Sequence, residues 1–208
     1  MNALVLKDLM NLRQSLKTMA IMLLIFAVVF IPAKNTLALY FLLIIFAAMF
    51  PLTAMAYDDM VKWDRYALTM PLSRKDVVAG KYLLMLLMLG GAVAVSLAIA
   101  AVGSLIAPAL FAVPESSFLF ILIGGSLGLA YSSILLPVVY RFGTERTRYI
   151  MIGSMVAIGA LLLGVYFLFG DALSGMGALF WGISPVVAAG MLAVSYRISL
   201  RIYAGKEF

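Results

Sequence analysis

Residues 57–83 read YDDMVKWDRYALTMPLSRKDVVAGKYL. The chain carries 15 basic and 9 acidic residues, and nine of these fall in this one stretch: Asp58, Asp59, Lys62, Asp64, Arg65, Arg74, Lys75, Asp76 and Lys81. The runs on either side, 36–57 and 82–107, contain no charge at all. Nine charges in hydrocarbon, at about 2.5–3.5 kcal/mol each, would cost more than roughly 20 kcal/mol. The stretch therefore lies in water or against another protein. The flanking runs each exceed the roughly 20 apolar residues needed to cross a bilayer. A charged segment between two spans sets the fold class: an all-α integral membrane protein.

Composition agrees. Of 208 residues, 65% are hydrophobic and 12% charged, where soluble domains are nearer half apolar and a quarter charged. Mean hydropathy is +1.14. The chain has no cysteine and no histidine. That removes disulfides, thiolate chemistry, the commonest metal ligand and the commonest general base at neutral pH. No cofactor or metal site is expected, and no catalytic residue. The first strongly apolar run starts near Met19 with no small-residue cleavage site after it, so it reads as a retained span.

Charge-free runs fall at 19–33, 36–57, 82–107, 116–140, 149–170 and 172–196, which gives six expected spans in a single transmembrane domain over 1–208. The first is short, about 22 Å at roughly 1.5 Å per residue. Lys17 and Lys34 would snorkel outward at its edges. The fifth and sixth are parted by Asp171 and the Gly-rich GDALSGMG, so 170–185 is either an ordinary loop or partly re-entrant. Residues 1–18, 57–81, 141–148 and the tail hold 14 of the 15 basic residues. By the positive-inside rule both termini and both charged segments are cytoplasmic. This asymmetry also accounts for the net charge of +6 without nucleic acid.

Within 1–18, Val5, Leu9, Leu12 and Leu16 recur at helical spacing, opposite Lys7, Asn11, Gln14 and Thr18. This predicts an amphipathic helix at the cytoplasmic interface, an anchor or an elbow that touches a partner. In the charged stretch, Asp58 to Met70 has no Gly or Pro and predicts a short helix, with Met60, Trp63, Ala67 and Met70 on one face. Asp58 and Lys62 form an i, i+4 pair on the other. Pro71 stops that helix. Ser73 with Asp76 three residues on is a capping signature, so a new helix starts at Arg74 and runs into the third span. A Trp and two Tyr among balanced charges suit partner docking. They equally suit an interfacial helix with Trp63 and Tyr66 in the headgroup belt. The residues alone leave both open.

The pattern Tyr57-Asp58-Asp59, Lys62-Trp63-Asp64, Leu68 to Asp76 and Gly80-Lys81-Tyr82 resembles the second cytoplasmic segment of ABC-2-type transporter permeases. It is most similar to the six-span subfamily that includes the permease subunits of phenol-soluble-modulin exporters. The loop Arg141 to Arg148, RFGTERTR, resembles that subfamily too. The resemblance implies that the helix from Asp58 is a coupling helix docked on a separate ATPase, with 141–148 as a second contact. The implied docking residues are Asp58, Asp59, Lys62, Trp63, Arg65, Tyr66, Arg141 and Glu145. It further implies a homo- or heterodimer in a bacterial plasma membrane, ATP and Mg bound by the partner ATPase subunits, and export of amphipathic peptides or other hydrophobic substrates. The chain has no GxxxxGK[ST] phosphate loop of its own.

Other motifs carry less. Leu173 to Gly177 echoes an ATPase signature loop but lies on the outer face, away from any nucleotide domain. Asp58 and Asp171 lie at opposite membrane faces and cannot form a carboxylate dyad. Gly124-x-x-x-Gly128 is a helix-packing motif. Pro51 and Pro137 lie within spans. Asp171 and Trp181 flank the Gly-rich region as a candidate outer gate. The spans show no buried ion pair, which speaks against an ion-coupled carrier. The rival function is a non-ATP-driven membrane scaffold, an assembly or receptor-like protein whose charged loop binds another cytoplasmic partner.

Overall fold

The computed structural model describes residues 2–67, 73–108, 110–111, 114–174 and 177–205; within these, the side chains of 2, 64, 65, 114–116, 151 and 155–182 lie outside the description. The described chain is helical throughout. Its elements in order are α1 Asn2–Phe30, α2 Thr36–Met60, α3 Trp63–Ala67, α4 Arg74–Ile106, α5 Pro114–Ser174 and α6 Gly177–Ala204. Five helical stretches among the described residues are long and apolar enough to cross a membrane: Ala3–Phe30, Thr36–Met60, Arg74–Ile106, Ser117–Ile150 and Ile183–Ala204. The expected span at 149–170 has a helical backbone in the second half of α5, with most of its side chains outside the description.

The expected boundary at residue 18 is absent. No Gly or Pro interrupts the chain before Pro32, and α1 runs unbroken for 29 residues, about 43 Å at roughly 1.5 Å per residue. It ends in a turn at 31–34 with Lys34 at φ 56. Asn35 then caps α2, its Oδ1 accepting from the Ala38 N–H. The apolar face read from 1–18 is real, but it packs on helices. Val5 and Leu12 are buried with Phe50 and Ala54 of α2 and Leu84 of α4, and Leu9 and Leu16 pack at the edge.

α2 occupies the centre. Tyr40, Leu43, Ile44, Ala47, Ala48, Leu52 and Met55 pack with Val77, Tyr82, Met85 and Leu89 of α4 and Leu135, Leu136 and Val139 of α5. The Gly124-x-x-x-Gly128 face is what lets α5 approach. A Cβ at Gly124 or Gly128 would lie 3.0 or 3.1 Å from Ile44 of α2, so the motif makes a contact within the chain.

Each proline removes a backbone donor. Pro137 leaves the Ser133 carbonyl without its N–H partner, and the Ser195 hydroxyl of α6 donates to that carbonyl. Ser195 and Ser199 in turn meet the Tyr82 hydroxyl of α4 at 2.5 and 2.8 Å. A freed carbonyl in an apolar bundle is satisfied by a neighbouring helix, as apolar surroundings require. Near Pro51, Ser132 Oγ donates to the Ala48 carbonyl at 3.3 Å.

The segment at 141–148 is no irregular loop. α5 continues through it, broken only at Gly143, whose φ of 78 and ψ of 170 are non-helical. Glycine is suited to this position because L side chains rarely adopt that backbone.

Candidate functional site at the charged end of the bundle

The expected single helix from Asp58 is divided. α2 continues through Asp58 and Asp59 to Met60, the chain turns at Val61 and Lys62, and α3 is described from Trp63 to Ala67. Lys62 sits at φ 53, which takes it out of helical register. The predicted Asp58–Lys62 pair is therefore not made. Residues 68–72, which hold the predicted break at Pro71, lie outside the described set. Of the residues expected to share one face, Trp63 and Ala67 pack toward the core whereas Met60, before the turn, is exposed.

Asp58 is drawn inward by stronger partners. Its Oδ1 lies 2.7 Å from Lys7 Nζ of α1 and its Oδ2 lies 2.5 Å from Lys81 Nζ of α4. Lys81 Nζ also donates to Asp8 Oδ2 at 2.7 Å. Lys7 Nζ lies 3.1 Å from Asp8 Oδ1, without hydrogen-bond geometry. Two lysines and two aspartates thus close a neutral ring joining α1, α2 and α4. Asp8, Asp58 and Lys81 are 2%, 7% and 6% exposed. Charges this buried persist only when paired and hydrogen-bonded. Lys7 also stands 4.1 Å from the centre of the Trp63 ring, bringing α3 into the same cluster.

Asp59, the next residue, points the other way. Its Oδ2 accepts from the Thr144 N–H at 3.2 Å and from Thr144 Oγ1 at 2.7 Å. Thr144 is the first helical residue after Gly143, so Asp59 satisfies a free N–H at a helix start and places a negative charge there. Thr147 Oγ1 donates back to the Gly143 carbonyl at 2.6 Å. The two charged segments read separately from the sequence therefore form one surface. A cavity of about 20 Å³, lined by Met55, Asp58, Asp59, Val77, Lys81, Val139 and Tyr140, lies between them, room for one water.

The capping box at Ser73 forms as read. The Asp76 N–H donates to Ser73 Oγ at 3.1 Å and the Ser73 N–H donates to Asp76 Oδ2 at 3.1 Å. Arg74 reaches α6, donating to the Tyr203 carbonyl at 3.4 Å and to the Ala204 carbonyl. A cation at the last carbonyls of a helix complements its dipole. Both ends of the chain thus lie at one end of the bundle.

Of the sequence-derived docking residues, Asp59, Lys62, Tyr66, Arg141 and Glu145 are exposed, Trp63 is half-buried and Asp58 is buried. Arg141 stands 5.5 Å from the Phe142 ring. The side chains of Arg65, Asp171 and Trp181 lie outside the description. The expectation that the spans hold no buried ion pair is overturned: Lys7, Asp8, Asp58 and Lys81 pair within helices long enough to cross a membrane, so that argument against an ion-coupled carrier falls. The signal for the cluster was there: Asp8 is in register with Val5 and Leu12, and Lys81 with Val77, Val78, Leu84 and Met85. Single charges on otherwise apolar helix faces, of opposite sign, mark buried pairs. Which residues pair is a tertiary fact.

A family model described as ABC-2 family transporter protein matches residues 3–204. The chain belongs to the ABC-2 transporter family. This ABC-2 chain is accordingly a transport membrane component and not itself a catalyst, and the family implies an ATPase partner and a membrane setting. A search of curated proteins found no match, and a search of solved structures found none either.

Proposed function

We propose that this chain is the permease subunit of an ATP-driven exporter and that its charged end is where a separate ABC ATPase docks. The observation that carries this is the union of the α2 end, α3 and the Gly143 turn into one surface, tied by Asp59 and Thr144. Exposed Lys62, Tyr66, Arg141 and Glu145 belong to these segments. An exposed aromatic among charges of both signs is the composition of a protein interface. Asp58 serves this surface from behind, through the cluster. ATP and Mg belong to the ATPase chains. The permease pairs with a second permease, like or unlike, in a bacterial plasma membrane with both termini cytoplasmic.

Six passes fit this reading. Both chain ends lie at the same end of the bundle, which requires an even number of crossings. The five apolar helices plus the second half of α5 supply six. Exported cargo is amphipathic peptide or another hydrophobic compound, a class suggested by the resemblance to phenol-soluble-modulin exporters. Asp171 and Trp181 stand as the outer gate in this proposal.

Co-purification of an ATP-hydrolysing subunit with the tagged chain tests the docking surface. Replacing Lys62, Tyr66, Arg141 and Glu145 together by Ala removes the exposed anchors, and the retained ATPase should fall by about tenfold or more, since interface anchors carry ~1.4 kcal/mol or more. Undiminished ATPase with normal permease yield sinks the proposal.

A further inference from the structure

We propose that Lys7, Asp8, Asp58 and Lys81 form a transmission joint, through which displacement of α3 and the α2 end passes to α1 and α4. This rests on the docking reading above and assigns the first turns of α1 a mechanical role rather than that of a membrane anchor. Four observations converge. The ring closes on itself, so no member can be displaced without moving the others or separating opposite charges. Its members come from three helices, far apart in sequence, and it is buried. Lys7 engages both Asp58 and the Trp63 ring, tying the proposed docking segment directly to α1. The neighbouring Asp59 holds the Gly143 turn, so Asp58 and Asp59 between them reach α1, α4 and α5, while α3 is reached through Lys7 and Trp63 and α6 by Arg74 from the start of α4.

A purely packed contact transmits displacement only while the surfaces stay pressed together. Paired buried charges resist separation in both directions, because each would be left unpaired in a poorly hydrated site.

The chain has no native cysteine, so spin labels report cleanly. Cysteines replace Val28 and Ile183, which are 75% and 54% exposed and lie in α1 and α6 far from the ring. Their separation is measured by pulsed electron resonance in the purified permease–ATPase complex, with and without a non-hydrolysable ATP analogue. The wild-type ring should give a nucleotide-dependent shift. The variant Lys7→Met, Asp8→Leu removes the α1 half of the ring without leaving Asp58 unpaired, since its pair with Lys81 is kept. It should retain bound ATPase and lose the shift. A shift that survives in this variant overturns the joint and leaves docking standing. If this variant does not fold, the near-isosteric Lys7→Gln with Asp8→Asn decides: loss of the shift is expected and its persistence overturns the joint. A wild-type complex that holds no ATPase overturns both readings, so the two failures are told apart.

Discussion

Lys81 illustrates how one residue's meaning depends on burial. In the sequence it sits at the edge of a span, where a lysine ordinarily snorkels into the headgroups. Here it is 6% exposed and held between Asp8 and Asp58. Removing one member of a buried ion cluster strands the others and costs about 3–5 kcal/mol, whereas replacing all of them with apolar side chains is often neutral or stabilising. Lys81→Met should therefore lower the thermal midpoint of the detergent-solubilised protein sharply. Adding Lys7→Met, Asp8→Leu and Asp58→Leu should recover most of it. If the single change is silent, the ring contributes nothing to the folded state. Position 81 shows the limit of reading along a line. Its apolar register neighbours betray burial, but its partners lie 73 positions away at Asp8 and on a third helix.

At the scale of elements, the sequence reading was strongest where local chemistry decides and weakest where tertiary contacts do. The Ser73–Asp76 cap is local, and it forms as expected. The start of α2 is also local, set by the Asn35 cap, though the sequence marked it only as the beginning of the charge-free run at 36. The expected continuity from Asp58 fails, because the chain turns at Val61 and Lys62, where Lys62 has φ 53. The break at Gly143 was present in the sequence as a lone glycine in a charged stretch, yet its precise geometry was not legible. That geometry sets a sharp expectation. A Cβ at Gly143 meets nothing within 4 Å, so Gly143→Ala tests backbone strain alone. With φ 78 and ψ 170, the substitution should destabilise by about 1–3 kcal/mol, visible as a lower unfolding midpoint in detergent. An unchanged midpoint would mean that α5 does not turn at this residue.

For the whole molecule, the segregation of charge to one end is both the most legible feature and the most consequential. Fourteen of 15 basic residues lie in four segments, and contacts from Lys7, Asp59 and Arg74 bring these segments together. The sequence shows the segregation because lipid excludes charge; it does not show that the segments touch, because that follows from packing about α2. The family membership supplies the context of transport, and within it the gathered end is proposed to be an ATPase dock. Site-directed photo-crosslinking addresses this most directly. A single cysteine at Met60, which is 79% exposed beside α3, carries a photoreactive label in the native membrane; an identical label at Val28, at the far end of α1, serves as the control. The Met60 label should capture an ATP-binding subunit and the Val28 label should not. Capture at Val28 but not at Met60, or at neither position, would contradict the dock.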